Sequence, residues 1–513
     1  MRVCGNDYEK GISMKFLMDS DFSQRHGHAW RVEQGVIDGE MPLIKQDKSW
    51  DCGMTGCADM VMYDEEDQLW KAWYTACVSG QGSSSTKWNL AYATSEDGLV
   101  WHKPELDICQ WNGQDRTNLL ITPQIGGGVI LPSVIKNVGV DGPKRWEMFI
   151  FLVLGDESDG TVQGLHPPKS LGRHPLGWGL YRFFSPDGMR WTISDGPLFY
   201  WDGNKGGETM PASVFDPRYR ADGTYVHKKS DGTYVAFQKI PLVHAVRTNR
   251  SVCGWGSSLR TWGRMTSEDG LHWTPPVLLL APDDRDPEDL CFIELSVALG
   301  EDRHLGLYGR LCSNEADVDL GFAAGTDRND AWFRPSRRAC LNNLPLGDMG
   351  GGQMRLFHSP IEKNGKIHAY FGAFDGLHGN PENPAQDEKA QWGQWSYFGG
   401  MSRAVWDADR LWAIGPFGGG ANPASVTTVS QDNVAGKQLF LNAKVIGGGS
   451  IDAELIDGAG NVIEEFSQSD GTSFGGDERA FVMKWKGGSM APANGISVKF
   501  YLRRAWLYNF KWQ

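Results

Sequence analysis

Ser95-Glu96-Asp97-Gly98-Leu99-Val100-Trp101 decides how the rest of the chain is read, because it recurs. Ser185-Pro186-Asp187-Gly188-Met189-Arg190-Trp191 and Ser267-Glu268-Asp269-Gly270-Leu271-His272-Trp273 repeat its Ser-x-Asp-Gly-x-x-Trp pattern. An alternating aromatic or apolar run precedes each copy, at residues 90–94, 179–184 and 262–266. A strand, an Asp-Gly turn and a Trp opening the next strand make a β-hairpin signature. Gly takes the positive φ, and the Asp carboxylate bonds turn amides. A weaker copy, Thr326-Asp327-Arg328-Asn329-Asp330-Ala331-Trp332, puts Asn, which also tolerates the left-handed region, in place of Gly. A fifth, Trp406-Asp407-Ala408-Asp409-Arg410-Leu411-Trp412, has its Asp displaced by one. Hairpin repeats at this irregular spacing predict propeller blades with long, variable insertions.

Composition agrees with a large β-rich chain. The 513 residues have room for two or three domains, with 65 Gly and 22 Trp. Lys and Arg number 50 against 63 Asp and Glu, a net charge of −13 with no basic block. That argues against nucleic acid or an anionic membrane as the main partner. A Trp-rich, Gly-rich, acidic chain suits carbohydrate, because flat indoles stack on sugar faces, although most of these indoles are expected to be blade core. Nine cysteines do not make a disulfide framework. Cys52 and Cys57 are close enough in sequence for a local bridge, and with no His or second Cys pair beside them zinc is not expected. The N-terminus lacks an apolar signal core, and no stretch is long and apolar enough to cross a bilayer. The expected location is the cytoplasm, or the periplasm or exterior if a leader was removed.

Read in order, residues 1–49 form a lead-in, of which 30–36 lead into the propeller or close its last blade. Residues 50–415 hold five blades. Gly415-Pro416-Phe417-Gly418-Gly419-Gly420-Ala421-Asn422-Pro423 then reads as a corner. From 420 to 513 the texture changes to short alternating strands, which predicts a β-sandwich with Trp485, Trp506 and Trp512 in its core. The fold class expected is therefore all-β, a five-bladed β-propeller followed by a C-terminal β-sandwich. Asp59 precedes the run at 60–63, and Glu208 precedes the run at 212–215. Acids ahead of innermost strands face the channel where strand starts converge, although an isolated Asp before a strand is more often a turn cap.

Five such hairpin blades followed by a sandwich resemble the five-bladed propeller glycoside hydrolases, the superfamily of families 32, 43, 62, 68 and 117. The resemblance spans about residues 50–513 and is architectural; the fructosidase Trp-Met-Asn-Asp-Pro block is absent. It implies carboxylates on the inner strands of blades one, two and three, acting as base or nucleophile, transition-state stabiliser and acid. Asp59 matches the first and Glu208 the last, in Glu-x-x-Pro. Blade two departs, with no carboxylate around Leu131-Pro132-Ser133-Val134. Asp289, with Glu288 and Asp286 beside it, is the nearest substitute. The chemistry itself calls for one protonated acid and one ionised carboxylate, and acids sharing a channel raise each other's pKa values.

Further binding candidates are Trp50 and Asp51 of blade one, with Arg355, His358 and His378 of blade five. The repeat carboxylates Asp97, Asp187 and Asp269 are structural, since one per outer turn cannot converge on a site. The expected activity is hydrolysis of a glycosidic bond, exo-acting on a furanoside or other unusual oligosaccharide or polysaccharide. The rival readings are a non-catalytic carbohydrate-binding propeller and a metal-assisted lyase using His358, His368 and His378. No cofactor is expected; a structural or axial calcium ion is the one metal left open.

Overall fold

The computed structural model describes residues 16–78, 87–123, 127–154, 162–165, 178–201, 219–220, 223–243, 258–287, 289–312, 317–328, 330–378, 399–420 and 422–513. The fold is all-β. Helical geometry among these residues is confined to three-residue 3-10 turns such as Asp19–Asp21 and Gln468–Asp470. The alternation read in the sequence becomes successive antiparallel strands, which we group into five sets.

Set one runs Met60–Asp64, Leu69–Val78, Lys87–Ser95 and Leu119–Pro123, each strand paired with the next. Set two runs Gly127–Lys136, Trp146–Leu154, Trp178–Ser185 and Thr192–Trp201. Set three runs Thr224–Lys228, Tyr234–Val243, Ser258–Ser267 and Val277–Leu280. Set four runs Leu290–Ala298, His304–Cys312 and Val318–Gly325, the last flanked by bridges to Phe333 and Leu341. Set five runs Gln353–Leu356, Lys366–Phe374 and Gly399–Asp407, and its fourth strand is Val36–Ile37 from near the start of the chain.

The repeated heptapeptide folds the same way three times. Asp97, Asp187 and Asp269 each accept two backbone N–H bonds on Oδ1, all at 2.8 Å. Ser95, Ser185 and Ser267 each accept the amide of the turn glycine at 2.8–2.9 Å. Gly98, Gly188 and Gly270 sit at φ of 75°, 78° and 75°, where a side chain would be strained. A Cβ on Gly188 would also press on Trp146 at 3.2 Å and Trp73 at 3.3 Å.

These turns are held by the preceding set. Trp73 of set one donates its indole N–H to Gly188 O at 2.7 Å. Arg182 of set two donates to Asp269 O at 2.9 Å, and Arg264 of set three donates to Thr326 O at 3.3 Å. The succession returns to its start when Tyr370 of set five donates to Gly98 O at 3.0 Å, beside Arg403. Arg182, Arg264 and Arg403 all stand three residues ahead of their own repeat. The apolar cores follow the same order. One joins Met60 and Tyr92 of set one to Met148 and Phe183 of set two, and another joins Val61 and Tyr74 of set one to Phe357 and Met401 of set five.

The C-terminal strands Ala424–Thr428, Leu439–Ile456, Asp477–Val482 and Ser497–Trp512 form one seven-stranded sheet with Phe22–His26, His28–Val32 and Trp412–Pro416. That sheet therefore crosses the boundaries drawn at 49, 415 and 420 from composition alone. Its core holds Leu441, Ile451, Trp485, Phe500 and Leu507, with Trp512 packed against it.

Two local expectations need correction. Cys52 and Cys57 are both free; Cys52 is exposed, whereas Cys57 packs inward with Met54, Cys77 and Phe374. The strand paired with Tyr234–Val243 on its inner side is Thr224–Lys228, not 212–215, because Ser258–Ser267 fills the other edge.

Candidate active site

The first strands of the five sets contact one another. Met60 of set one bridges His358 of set five, and Val226 of set three donates its amide to Ser133 Oγ of set two at 3.0 Å. Arg355 of set five donates Nε to Glu294 Oε1 of set four at 2.5 Å. Tyr225 of set three packs against His358 with ring centroids 5.1 Å apart.

Asp59 stands where the sequence predicts, directly ahead of Met60–Asp64, and it is fully buried. Gly56 and Ala58 adopt positive φ (82° and 55°) and fold this approach tightly. Asp59 Oδ2 accepts the Cys57 amide at 2.7 Å and the Thr75 amide at 2.8 Å, and Oδ1 accepts the Thr75 hydroxyl at 2.6 Å. Burial pushes its carboxyl up to about 7, opposed by those hydrogen bonds and by the Arg355 charge. A carboxyl titrating there can hold or release a proton near neutrality.

Glu294 is the acid that sequence reasoning missed. It lies in the middle of Leu290–Ala298, a strand buried at every position. Oε1 takes Arg355, while buried Oε2 has no hydrogen-bond partner. The signal was legible: a single charge inside a strand that is apolar but for Ser296 is costly unless paired or used. Arg355 is raised above its ordinary range despite burial, by Cys57, Glu294 and Tyr225. Next to it, His378 Nδ1 lies 3.1 Å from Gln353 Oε1 and 3.5 Å from Arg355. Gln353 Nε2 donates to Gly376 O at 2.8 Å, so Gln353 Oε1 is the acceptor and His378 Nδ1 carries the proton. Burial first, then Arg355, Arg260 and Lys239, hold His378 far below its usual range, and it is neutral.

His358 faces a different neighbourhood, with Nδ1 2.9 Å from Met60 Sδ and its ring stacked 4.4 Å from His227. Burial depresses both, His227 to about 3. His368 packs on Trp70 at 5.5 Å, so the three histidines of the lyase reading are not brought together. Among the described residues no group of three His, Cys, Asp or Glu is arranged to hold a metal.

The remaining candidates divide. Glu208 and Glu288 lie outside the described residues. Asp289 sits half-buried one residue ahead of Leu290–Ala298. Asp286 is taken up by Arg334 at 2.6 Å and Arg337 at 3.3 Å. Trp50 donates to Asn118 at 2.8 Å and Asp51 pairs with Lys103 at 2.6 Å, which places both beside set one and not in the central cluster. Trp50, Trp101, His102 and Lys103 line a separate cleft of about 890 Å³. In set two the departure read in the sequence stands: Leu131, at φ 60°, and Ser133 fill the inner strand, with no carboxylate. The acid standing closest ahead of the inner strand of set three is Asp222, which lies outside the described residues.

No family model matches the sequence, and no curated protein does. Solved structures similar to the chain are glycoside hydrolases and related enzymes with propeller-like folds. They include a family 43 arabinoxylan arabinofuranohydrolase from Bacillus subtilis, 12% identical, covering 91% of this chain and 97% of its own, at a TM-score of 0.39. A glycosyl hydrolase from Bacteroides ovatus is 15% identical over 79% of this chain and 97% of its own, at 0.40. A β-1,2-mannobiose phosphorylase from Listeria innocua is 11% identical over 72% and 95%, at 0.42.

Proposed function

We propose that the chain is a glycoside-processing enzyme, a hydrolase of an oligosaccharide or polysaccharide, with its active site where the inner strands converge. In this reading the five sets are the blades of a five-bladed propeller and the C-terminal sheet is a β-sandwich accessory unit. The observation that carries it is the buried Glu294–Arg355 pair with His378 beside it, within electrostatic reach of the buried Asp59 carboxyl. Asp59, titrating near 7, serves as base or nucleophile toward the anomeric carbon. Glu294, with one oxygen unengaged, stabilises the charge that develops on the sugar, the role for which set two offers Leu131. The proton donor comes from set three, where Glu208 is the first candidate and Asp222 the second.

The competing reading is a carbohydrate-binding propeller without turnover, favoured by the missing carboxylate in set two. The test is a panel of aryl glycosides and plant, algal and bacterial glycans, scored for new reducing ends with and without inorganic phosphate. Turnover on any member supports the enzyme. Saturable binding across the panel with no product establishes the lectin and overturns the proposal.

A further inference from the structure

Glu294 faces set five because its strand is irregular. Leu290–Ala298 pairs with His304–Cys312 as Phe292 with Arg310 and then Leu295 with Tyr308, so Ile293 and Glu294 together stand opposite Gly309 alone. This is a β-bulge, one extra residue in the inner strand. In an unbroken strand Glu294 would share the face of Leu290 and Phe292, which pack with Trp262 and Leu280 of set three. Beyond the bulge that face is carried by Leu295 and Val297 instead. Glu294 falls on the other face, where Arg355 of set five donates to its Oε1 and Ala298 packs with Met354. Gly309 is what this arrangement requires of the neighbouring strand. A Cβ there would lie 2.7 Å from Ile293 Cγ2 and 2.8 Å from Glu294 Oε2, with Val318 Cγ1 at 3.4 Å. Gly309 is not at positive φ, so glycine is needed for space rather than for conformation. Glu294 Oε2 is buried without a hydrogen-bond partner, so the carboxylate is held by Arg355 at one oxygen and fits over Gly309 at the other.

We propose that Gly309 is a positioning residue for Glu294. Together with the bulge it sets the place of the carboxylate beside Arg355, and through that carboxylate it governs how well the site stabilises charge developing on the sugar. The catalytic half of this inference rests on the enzyme reading above. A methyl at 309 is accommodated in one of two ways: Glu294 rotates away from Arg355, or the inner strand is pushed off its neighbour. Both displace the carboxylate. Charge stabilisation needs its groups held to within about 0.5 Å, so the displacement costs turnover although Gly309 itself touches no substrate. The loss falls on kcat, because the interaction is made in the transition state and not with bound substrate.

Four full-length proteins test it: wild type, Gly309→Ala, Glu294→Ala and the double variant, each unfolded in urea and assayed on the best glycoside of the panel. Ile293 Cγ2 is present in all four, so the cycle isolates the contact with Glu294. Gly309→Ala should raise the unfolding equilibrium constant about tenfold more in the wild-type background than in the Glu294→Ala background. Its kcat should fall about tenfold or more with KM near wild type, and should fall no further when added to Glu294→Ala. A merely structural role would lower kcat by the same factor in both backgrounds. Equal effects of Gly309→Ala in the two backgrounds, or wild-type kcat in folded Gly309→Ala, overturn the inference. Gly309→Ala that folds only beside Glu294→Ala is the coupling itself. Failure to fold in both backgrounds places the conflict at Ile293 and overturns it. Should Glu294→Ala alone fail to fold, Glu294→Gln takes its place for the activity comparison, with the same result expected. Stability coupling in a chain that turns over no glycoside would sink the enzyme reading and keep the hold of Gly309 on Glu294. Turnover with no coupling would do the reverse.

Discussion

Replacing Asp59 by Asn should stabilise the protein at alkaline pH while removing activity. Burial raises this carboxyl from 3.8 to about 7. The sign follows from proton linkage: the unfolded chain releases this proton near 3.8 and the folded chain holds it until about 7. Between those values the unfolded state binds fewer protons, so stability falls as pH rises. At 1.36 kcal/mol per pH unit the whole rise amounts to roughly 4 kcal/mol, of which about 3 kcal/mol falls between pH 5 and pH 8. Asn avoids that cost and keeps the local bonding. Its carbonyl can take the Cys57 and Thr75 amides, and its NH2 can donate to the Thr75 hydroxyl, which turns round to accept. Thermal and urea unfolding of wild type and Asp59→Asn, each at pH 5 and pH 8, measures the effect. The variant's advantage should grow toward pH 8. A difference between the two proteins that is the same at both pH values would refute the assignment of a raised pKa to Asp59.

Other expectations concern the turn clasps and the proton donor. Arg182→Met strips the buried Glu147 of its ion pair and leaves the Asp269 carbonyl without its donor. Urea unfolding should show a loss of about 3–5 kcal/mol, largely recovered when Glu147→Leu is added. Gly188→Ala forces a side chain to φ 78° against Trp146 and Trp73, and should cost about 1–2 kcal/mol by the same measurement with kcat unchanged. If Glu208 is the acid, Glu208→Gln should retain far more activity on aryl glycosides with good leaving groups than on natural glycosides. If Asp222→Asn shows that pattern instead, the donor is Asp222.

What the sequence disclosed followed from local chemistry. The Ser-x-Asp-Gly-x-x-Trp turns could be read because each contains its own hydrogen-bond partners within three residues. The position of Asp59 could be read for the same reason, one residue ahead of the apolar run at 60–63. Glu294 is harder to read than Asp286, Glu288 and Asp289, which stand just ahead of its strand where an isolated acid is expected. The geometry pairs the strand's middle with Arg355 of set five and ties Asp286 to Arg334 and Arg337. Pairings that join distant stretches left no local mark: Phe22–His26 beside Ala424–Thr428, or Val36–Ile37 closing set five, depend on which edges the rest of the fold leaves open. In set three the inner strand is the short Thr224–Lys228, whose last two residues are basic, so it reads less like a core strand than 212–215.

The most direct test of the central claim is kcat/KM for the best substrate found in the panel, compared among wild type, Asp59→Asn, Glu294→Gln and Asp289→Asn. With the active site where the inner strands meet, Asp59→Asn and Glu294→Gln should each lose at least about 100-fold, and Asp289→Asn should stay near wild type. Full activity in both Asp59→Asn and Glu294→Gln, or a loss confined to Asp289→Asn, would contradict it.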